Sequence, residues 1–472
     1  MAPKGLDLQQ APPLSVPLRF FLTAPVFAFL AGLVALWQGP DLFASRWSPG
    51  ALAATHLVAL GCVTMVMAGA LMQILPVLVG ATIARPVVVA SLVHAGLVTG
   101  TLALADAFLS GEAGLFVAAA VLLGAAVVVF LAAIAQSLVH LTARQPMVRL
   151  LWLVAAALAV AVVLGAWLAV RRATPVPFAA ALADLHPAWA LLGWVGLLVV
   201  AIAQRVVPMF QLTPDYPGWT TRRLAMAIVV ALGAWSVARA SGSVVGSLAA
   251  AAALATLYAA FAATTLILQR KRKRRQADFN LRFWRAGMTL AIAAAVAWVV
   301  ASAPIPLPPS FAVTVGVLAI VGAALSLVVG MLYRIVPFLA WFHLFARAGA
   351  SPVVPHLKQY LGDAAQRRHF VLHAASLALL LAATLRPHAF AHVAALAFAA
   401  SALAWLANLI AIVRVYTRHL GIVARIAEGH AASPEMLVRA RAGMRNVRDK
   451  TVSTHERRDD RGACVARVRH HL

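Results

Sequence analysis

The chain has 472 residues, a formal net charge of +25, 63% hydrophobic and only 11% charged residues. Soluble domains carry about 25% charged residues, so a water-soluble globular fold is excluded. The two cysteines, Cys62 in an apolar stretch and Cys464 in the tail, exclude a disulfide framework.

Taken in chain order, a proline-rich leader over 1–17 precedes a series of apolar runs. Twelve spans are predicted, at 18–37, 52–78, 87–108, 114–140, 150–170, 185–210, 223–242, 247–269, 286–303, 310–342, 369–385 and 391–414. In lipid every backbone polar group needs an internal partner, and runs of Ala, Leu and Val without two-residue alternation satisfy that as helices, not as barrel strands. The expected fold is therefore all-α and polytopic, a membrane domain over 18–414 followed by a basic tail over 415–472. No cleavable signal peptide is read in the leader.

Lys and Arg gather in alternate loops. Arg85, Arg144 and Arg149, Arg222 and Arg223, the run Arg270 to Arg275, and then Arg347, Lys358, Arg367 and Arg368 mark one side. The other side holds Arg46, Arg171, Arg172, Arg239 and Arg386. Basic loops stay cytoplasmic, so both termini are expected in the cytoplasm, with the protein in a cell inner membrane. The same sorting, together with attraction to anionic headgroups, accounts for the net charge without nucleic acid. The expected partner is the lipid bilayer. The basic segment 270–285 and the tail could also meet an acidic face of a respiratory or other companion membrane subunit.

One segment occurs three times. Gly61 to Pro76, Gly193 to Pro208 and Gly322 to Pro337 each place a glycine 15 positions before a proline, and the prolines lie 132 and 129 residues apart. A period of about 130 residues is too long for a solenoid and long enough for four spans. The membrane domain therefore divides into three pseudo-symmetric groups of four helices, near 18–140, 150–269 and 286–414, with the repeats on spans 2, 6 and 10. Small residues let helices approach closely, and a proline frees a carbonyl and bends a span, so these three are expected at the centre. Three positions before each proline stand Gln73, Arg205 and Arg334. An arginine there either snorkels to headgroups or meets an anion, such as a cofactor carboxylate.

The other candidates are histidines. His56 opens span 2 and His186 opens span 6, on the outer side, while His388 and His392 flank the start of span 12. His94, His140, His343, His369 and His373 fall toward the cytoplasmic side. Imidazole is a usual ligand of haem iron and suits copper. His56 lies five residues before Gly61 and His186 seven before Gly193, which at 100° per residue puts the two on different faces relative to their glycines. The third repeat has Val317 and Val315 at those places. Asp184, two residues before His186, could orient that ring or cap the helix.

Twelve helices in three groups of four, histidines at the outer ends of spans 2 and 6, and endings such as QRVVPMF resemble the haem-copper oxidase subunit I superfamily and, within it, the NnrS-type membrane proteins. The opening PLRFFLTAP (Pro17 to Pro25) and the segment THLVALGCVTMVMAGALMQILPVLVGA carry the same likeness, which covers most of residues 15–414. The resemblance implies that His56 is an axial haem ligand and His186 a copper ligand. The family's further copper histidines lie on spans 7 and 8, and its span 10 supplies haem ligands; here 224–267 and 311–336 contain no histidine. Oxygen reduction at a binuclear centre is thus not expected, and the chain is not expected to be an oxidase. The expectation is a haem- or metal-binding protein linked to respiration or nitric oxide stress. A transporter, and a scaffold or assembly protein with no cofactor, stand as alternatives.

Overall fold

A computed structural model describes residues 12–141, 145–174, 180–273, 278–349 and 353–427. Most of the leader, Arg144, Arg274 and Arg275, and the tail beyond residue 427 with Cys464 lie outside the described residues.

Among the described residues twelve helices are long and apolar enough to cross a membrane, and the chain is an all-α, multi-pass membrane protein. They are α1 Ser15–Phe43, α2 Pro49–Val77, α3 Pro86–Ser110, α4 Ala113–Leu138, α5 Pro146–Arg172, α6 Leu182–Gln211, α7 Thr220–Ala240, α8 Val244–Arg270, α9 Phe279–Ser302, α10 Ser310–Ala348, α11 Asp363–Leu385 and α12 Pro387–Ile426. Their starts follow local chemistry. Proline stands first in α2, α3, α5 and α12, where its missing N–H costs nothing and its fixed φ suits a helix. Ser48, Ser243 and Asp278 cap α2, α8 and α9, each side chain accepting a backbone N–H three residues on. α12 continues past the expected end at residue 414 to Ile426 without a break.

The chain forms two compact units, Met1–Pro337 with Leu361–Ile410, and Phe338–Tyr360 with Ala411–Leu472. In the second, aromatic rings run along one helical segment: Trp341 lies 6.2 Å from Phe338 and 5.1 Å from Phe345.

Within the first unit the three repeated spans form the interior. The most apolar window of α2 is 78% buried and those of α6 and α10 are each 56% buried, against 17% for α8 and 22% for α7, which face outward. At Gly61, Gly193 and Gly322 all three leave α-helical geometry and become π-helical, over Ala59–Thr64, Trp189–Gly196 and Val317–Leu325. The sequence pointed to the prolines as the irregular sites, yet Pro76, Pro208 and Pro337 lie inside continuous α-helix. An i→i+5 turn widens the helix and loosens the backbone ladder, and such turns recur at functional sites. The glycines bring neighbours close: a Cβ on Gly61 would come 2.3 Å from the Phe27 ring, and one on Gly330 would come 2.7 Å from Phe283 Cβ. The π segments of α2 and α6 both touch that of α10, and Trp194 Nε1 donates to Thr64 Oγ1 at 3.3 Å between α6 and α2. Tyr258 of α8 donates its hydroxyl to the Leu192 carbonyl inside the second π segment, satisfying an oxygen of the widened turn.

Candidate functional site

A cavity of about 1000 Å³ opens among these helices, lined mostly by Ala, Leu, Val and aromatic side chains. His56 and His186 both project into it. His56 sits in the second turn of α2 and His186 early in α6, so antiparallel neighbours do not separate them: both helices start on the same side of the bundle. Their ring centroids are 6.2 Å apart with planes inclined by only 13°. The different offsets from Gly61 and Gly193 do not keep them apart, because they lie on separate helices that face each other. A ruler of 100° per residue also fails through a π segment.

Each ring is fixed by a backbone carbonyl. His56 Nδ1 donates to Leu52 O at 2.7 Å, and His186 Nδ1 donates to Ala161 O of α5 at 3.0 Å. A carbonyl only accepts, so in both neutral rings the proton is on Nδ1 and Nε2 carries a lone pair. A backbone acceptor on one nitrogen is how a metal-binding imidazole is usually oriented for ligation through the other. Phe108 stacks on His56 at 5.1 Å, inclined by 29°, and Gly165 leaves room for the second ring, since a Cβ there would lie 2.8 Å from His186 Cε1.

Charge collects around the same cavity. Arg46, Arg172, Arg239 and Asp184 line it. Asp184 binds neither His186 nor a helix N-terminus: one carboxylate oxygen accepts from Arg46 at 2.6 Å, and the other accepts from Arg239 at 2.6 and 3.0 Å. The aspartate thereby ties the α1–α2 connection to α6 and α7. Sequence position suggested that Asp184 caps the helix or orients His186; its carboxylate pairs with two arginines, and the carbonyl of Ala161 holds the ring.

Arg205 and Arg334 are elsewhere. Arg205 is exposed near the far end of α6. Arg334 forms an ion pair with Asp278, the residue that caps α9. Neither is among the residues lining the cavity, so neither is placed to meet a carboxylate of a group held there. Their equivalent Gln73 is buried, with an Oε1 that has no hydrogen-bond partner.

A second set of polar groups lies in the other half of the bundle. His369 and His373 occupy successive turns of α11 and are 1% and 4% exposed. Tyr333 and Ser326 of α10 and Asn408 of α12 bond to them or to one another. Sequence reading placed both histidines but not their partners; the i, i+4 spacing in an apolar span was the available signal. Among the described residues no group of three or more His, Cys, Asp or Glu could hold a metal ion. No protein-family model matches the chain, and no curated protein matches it.

Proposed function

We propose that this chain is a protein of the cytoplasmic membrane, with both termini in the cytoplasm, that holds a haem-type cofactor between His56 and His186 and serves respiration or nitric oxide stress without reducing oxygen. The observation that carries this reading is the pair itself: two nearly parallel imidazoles at 6.2 Å, each with Nδ1 held by a carbonyl, facing a large apolar cavity. With metal–nitrogen bonds of about 2.0 Å, two imidazoles about 6 Å apart are close enough to share one metal, so His56 and His186 would be the residues that hold it. The donor set favours a cofactor that brings its own equatorial ligands. A porphyrin supplies four nitrogens and needs only axial partners, whereas a closed protein site for a bare ion takes four. Copper held by the two rings alone would be two-coordinate, a geometry suited to the reduced ion.

The reading is in line with the resemblance to NnrS-type proteins of the haem-copper oxidase-like superfamily, and it alters what that resemblance implies. The histidines of spans 2 and 6 then act on one centre, not as a haem ligand and a copper ligand apart. When bound, the cofactor supplies one-electron chemistry. The chain's own contribution is to orient two nitrogens and to exclude water with an apolar wall, which tunes a bound metal.

The test is an oxidised and dithionite-reduced absorption spectrum of the detergent-purified protein, with iron and copper measured on the same sample. Stoichiometric haem with a spectrum of two axial imidazoles supports the proposal. A colourless, metal-free protein that also fails to take up added haem would sink it. A second reading, transport, is favoured by the size of the cavity and its arginine-bearing edge; it would then take precedence over a scaffold role.

A further inference from the structure

We propose that Tyr333, His369, His373 and Ser326 form a proton-transfer relay that runs from the side of the membrane where α11 begins to the floor of the cavity. Ionisable side chains inside a membrane are costly and mark ion and proton paths more often than packing, and histidine shuttles protons because either nitrogen can carry one.

The order follows from the donors. Asn408 Nδ2 can only donate, and it donates to the Tyr333 oxygen at 2.8 Å. The phenol's own hydrogen is thereby directed at His369 Nδ1, 2.6 Å away. His369 then carries its proton on Nε2. His369 and His373 have ring centroids 6.2 Å apart at 62°, a gap that one water or a ring rotation closes. His373 Nε2 meets Ser326 Oγ at 2.8 Å. In one transfer the Tyr333 hydroxyl proton moves to His369 Nδ1 as the Nε2 proton leaves toward His373 Nδ1. The His373 Nε2 proton then passes to Ser326 Oγ, which hands its own to a water molecule on the cavity side. Water at the entrance restores the phenol, so protons balance and no electron moves.

One end of this path adjoins an exposed basic turn and the other adjoins the wall of the cavity. His369 directly follows Arg367 and Arg368, which are exposed in the first turns of α11. At the other end, Ser326 is fully buried and does not itself line the cavity; its neighbours Ala323, Ala324 and Leu327 do, as does Leu380, two turns from His373. The walls are aromatic: Phe283 lies 5.5 Å from both rings, and Trp405 stacks on His369 at 6.5 Å. Besides the two histidines, the polar groups that face the path are Ser326 and Tyr333 of α10, Ser376 of α11 and Asn408 of α12. The nearest charges along α10 belong to the Arg334–Asp278 pair.

Histidine C2 hydrogen–deuterium exchange, read residue by residue by mass spectrometry on the full chain in lipid nanodiscs, tests this without any cofactor. That exchange needs protons to reach and leave the ring. His388 and His392, both exposed, are the internal standards. The expected result is measurable exchange at His369 and His373, slowed about tenfold at both by Tyr333→Phe, the effect of one lost buried hydrogen bond, while Ser326→Ala leaves the His369 rate unchanged. Silence at both rings in the wild type, alongside exchanging standards, overturns the relay even if no variant folds. Rates indifferent to Tyr333→Phe overturn it as well.

Discussion

The two histidine pairs share one dimension and little else. Ring centroids are 6.2 Å apart in both, yet His56 and His186 come from different helices and lie nearly parallel, while His369 and His373 come from successive turns of α11 and are inclined by 62°. The first pair gives its Nδ1 protons to backbone carbonyls and presents bare Nε2 atoms to a cavity. The second has hydroxyls at Nδ1 of one ring and Nε2 of the other. A carbonyl can only accept, so it fixes a tautomer; a hydroxyl both donates and accepts, so it lets a ring exchange its proton. The first environment suits imidazole to ligation, the proposed role of its pair, and the second suits it to carrying a proton, the proposed role of the other.

The sharpest way to break this comparison is to remove one ring from each pair. His186→Ala or His56→Ala should abolish the haem absorption bands with the chain still in the membrane, while His373→Phe should leave them intact. Bands that survive both alanine variants and vanish with His373→Phe would reverse the assignment. Next in size, Gly165→Ala should weaken haem uptake about 10- to 100-fold, as displaced orienting contacts around metal ligands do. The new methyl drives the His186 ring from the Ala161 carbonyl, yet thermal unfolding in detergent should not worsen, since alanine favours a helix over glycine by about 1 kcal/mol. Gly124→Ala, where nothing lies within 4 Å, should leave uptake unchanged and gain the same helix preference, and a drop in uptake there would mean the Gly165 effect is not local.

Gly330→Ala should do the opposite of Gly165→Ala. It forces the α10 backbone away from Phe283, so it should lower stability by about 1–3 kcal/mol, the usual range for overpacking, with haem stoichiometry in the folded fraction unchanged. Smallest of all, Arg46→Gln should lower stability by less than about 1 kcal/mol, since Arg46 is 42% exposed and its pair with Asp184 is screened by solvent. The loss should shrink further in high salt, and an effect of several kcal/mol would show that the bridge to Arg239 acts as a buried network.

Much of the architecture was legible before any coordinates. Helix number, order and approximate ends follow from runs of apolar residues, because the bilayer sets a minimum length and forbids unpaired backbone. The centrality of spans 2, 6 and 10 follows from the threefold repeat of small residues. The candidate site was half legible: His56 and His186 stand out as histidines near the outer ends of repeated spans, and only the structure brings them to one cavity. Arg205 and Arg334 stand out equally, yet Arg205 is exposed on the surface of its helix and Arg334 meets an aspartate. Sequence position told how far along its helix each arginine lies, not which way it faces.

What the sequence by itself determined is the number of spans, their alternation through the membrane and the inventory of polar groups that lipid would penalise. Those depend on length and local composition alone. Only the tertiary structure decided that His56 faces His186, that Ala161 and not Asp184 holds the second ring, and that Tyr333, Ser326 and Asn408 gather on the α11 histidines. These juxtapositions join residues between 25 positions apart, for Ala161 and His186, and 130 apart, for His56 and His186, and they depend on the rotation of each helix about its axis. The π segments at Gly61, Gly193 and Gly322 lie where these helices touch one another, and no window along one helix contains its neighbours.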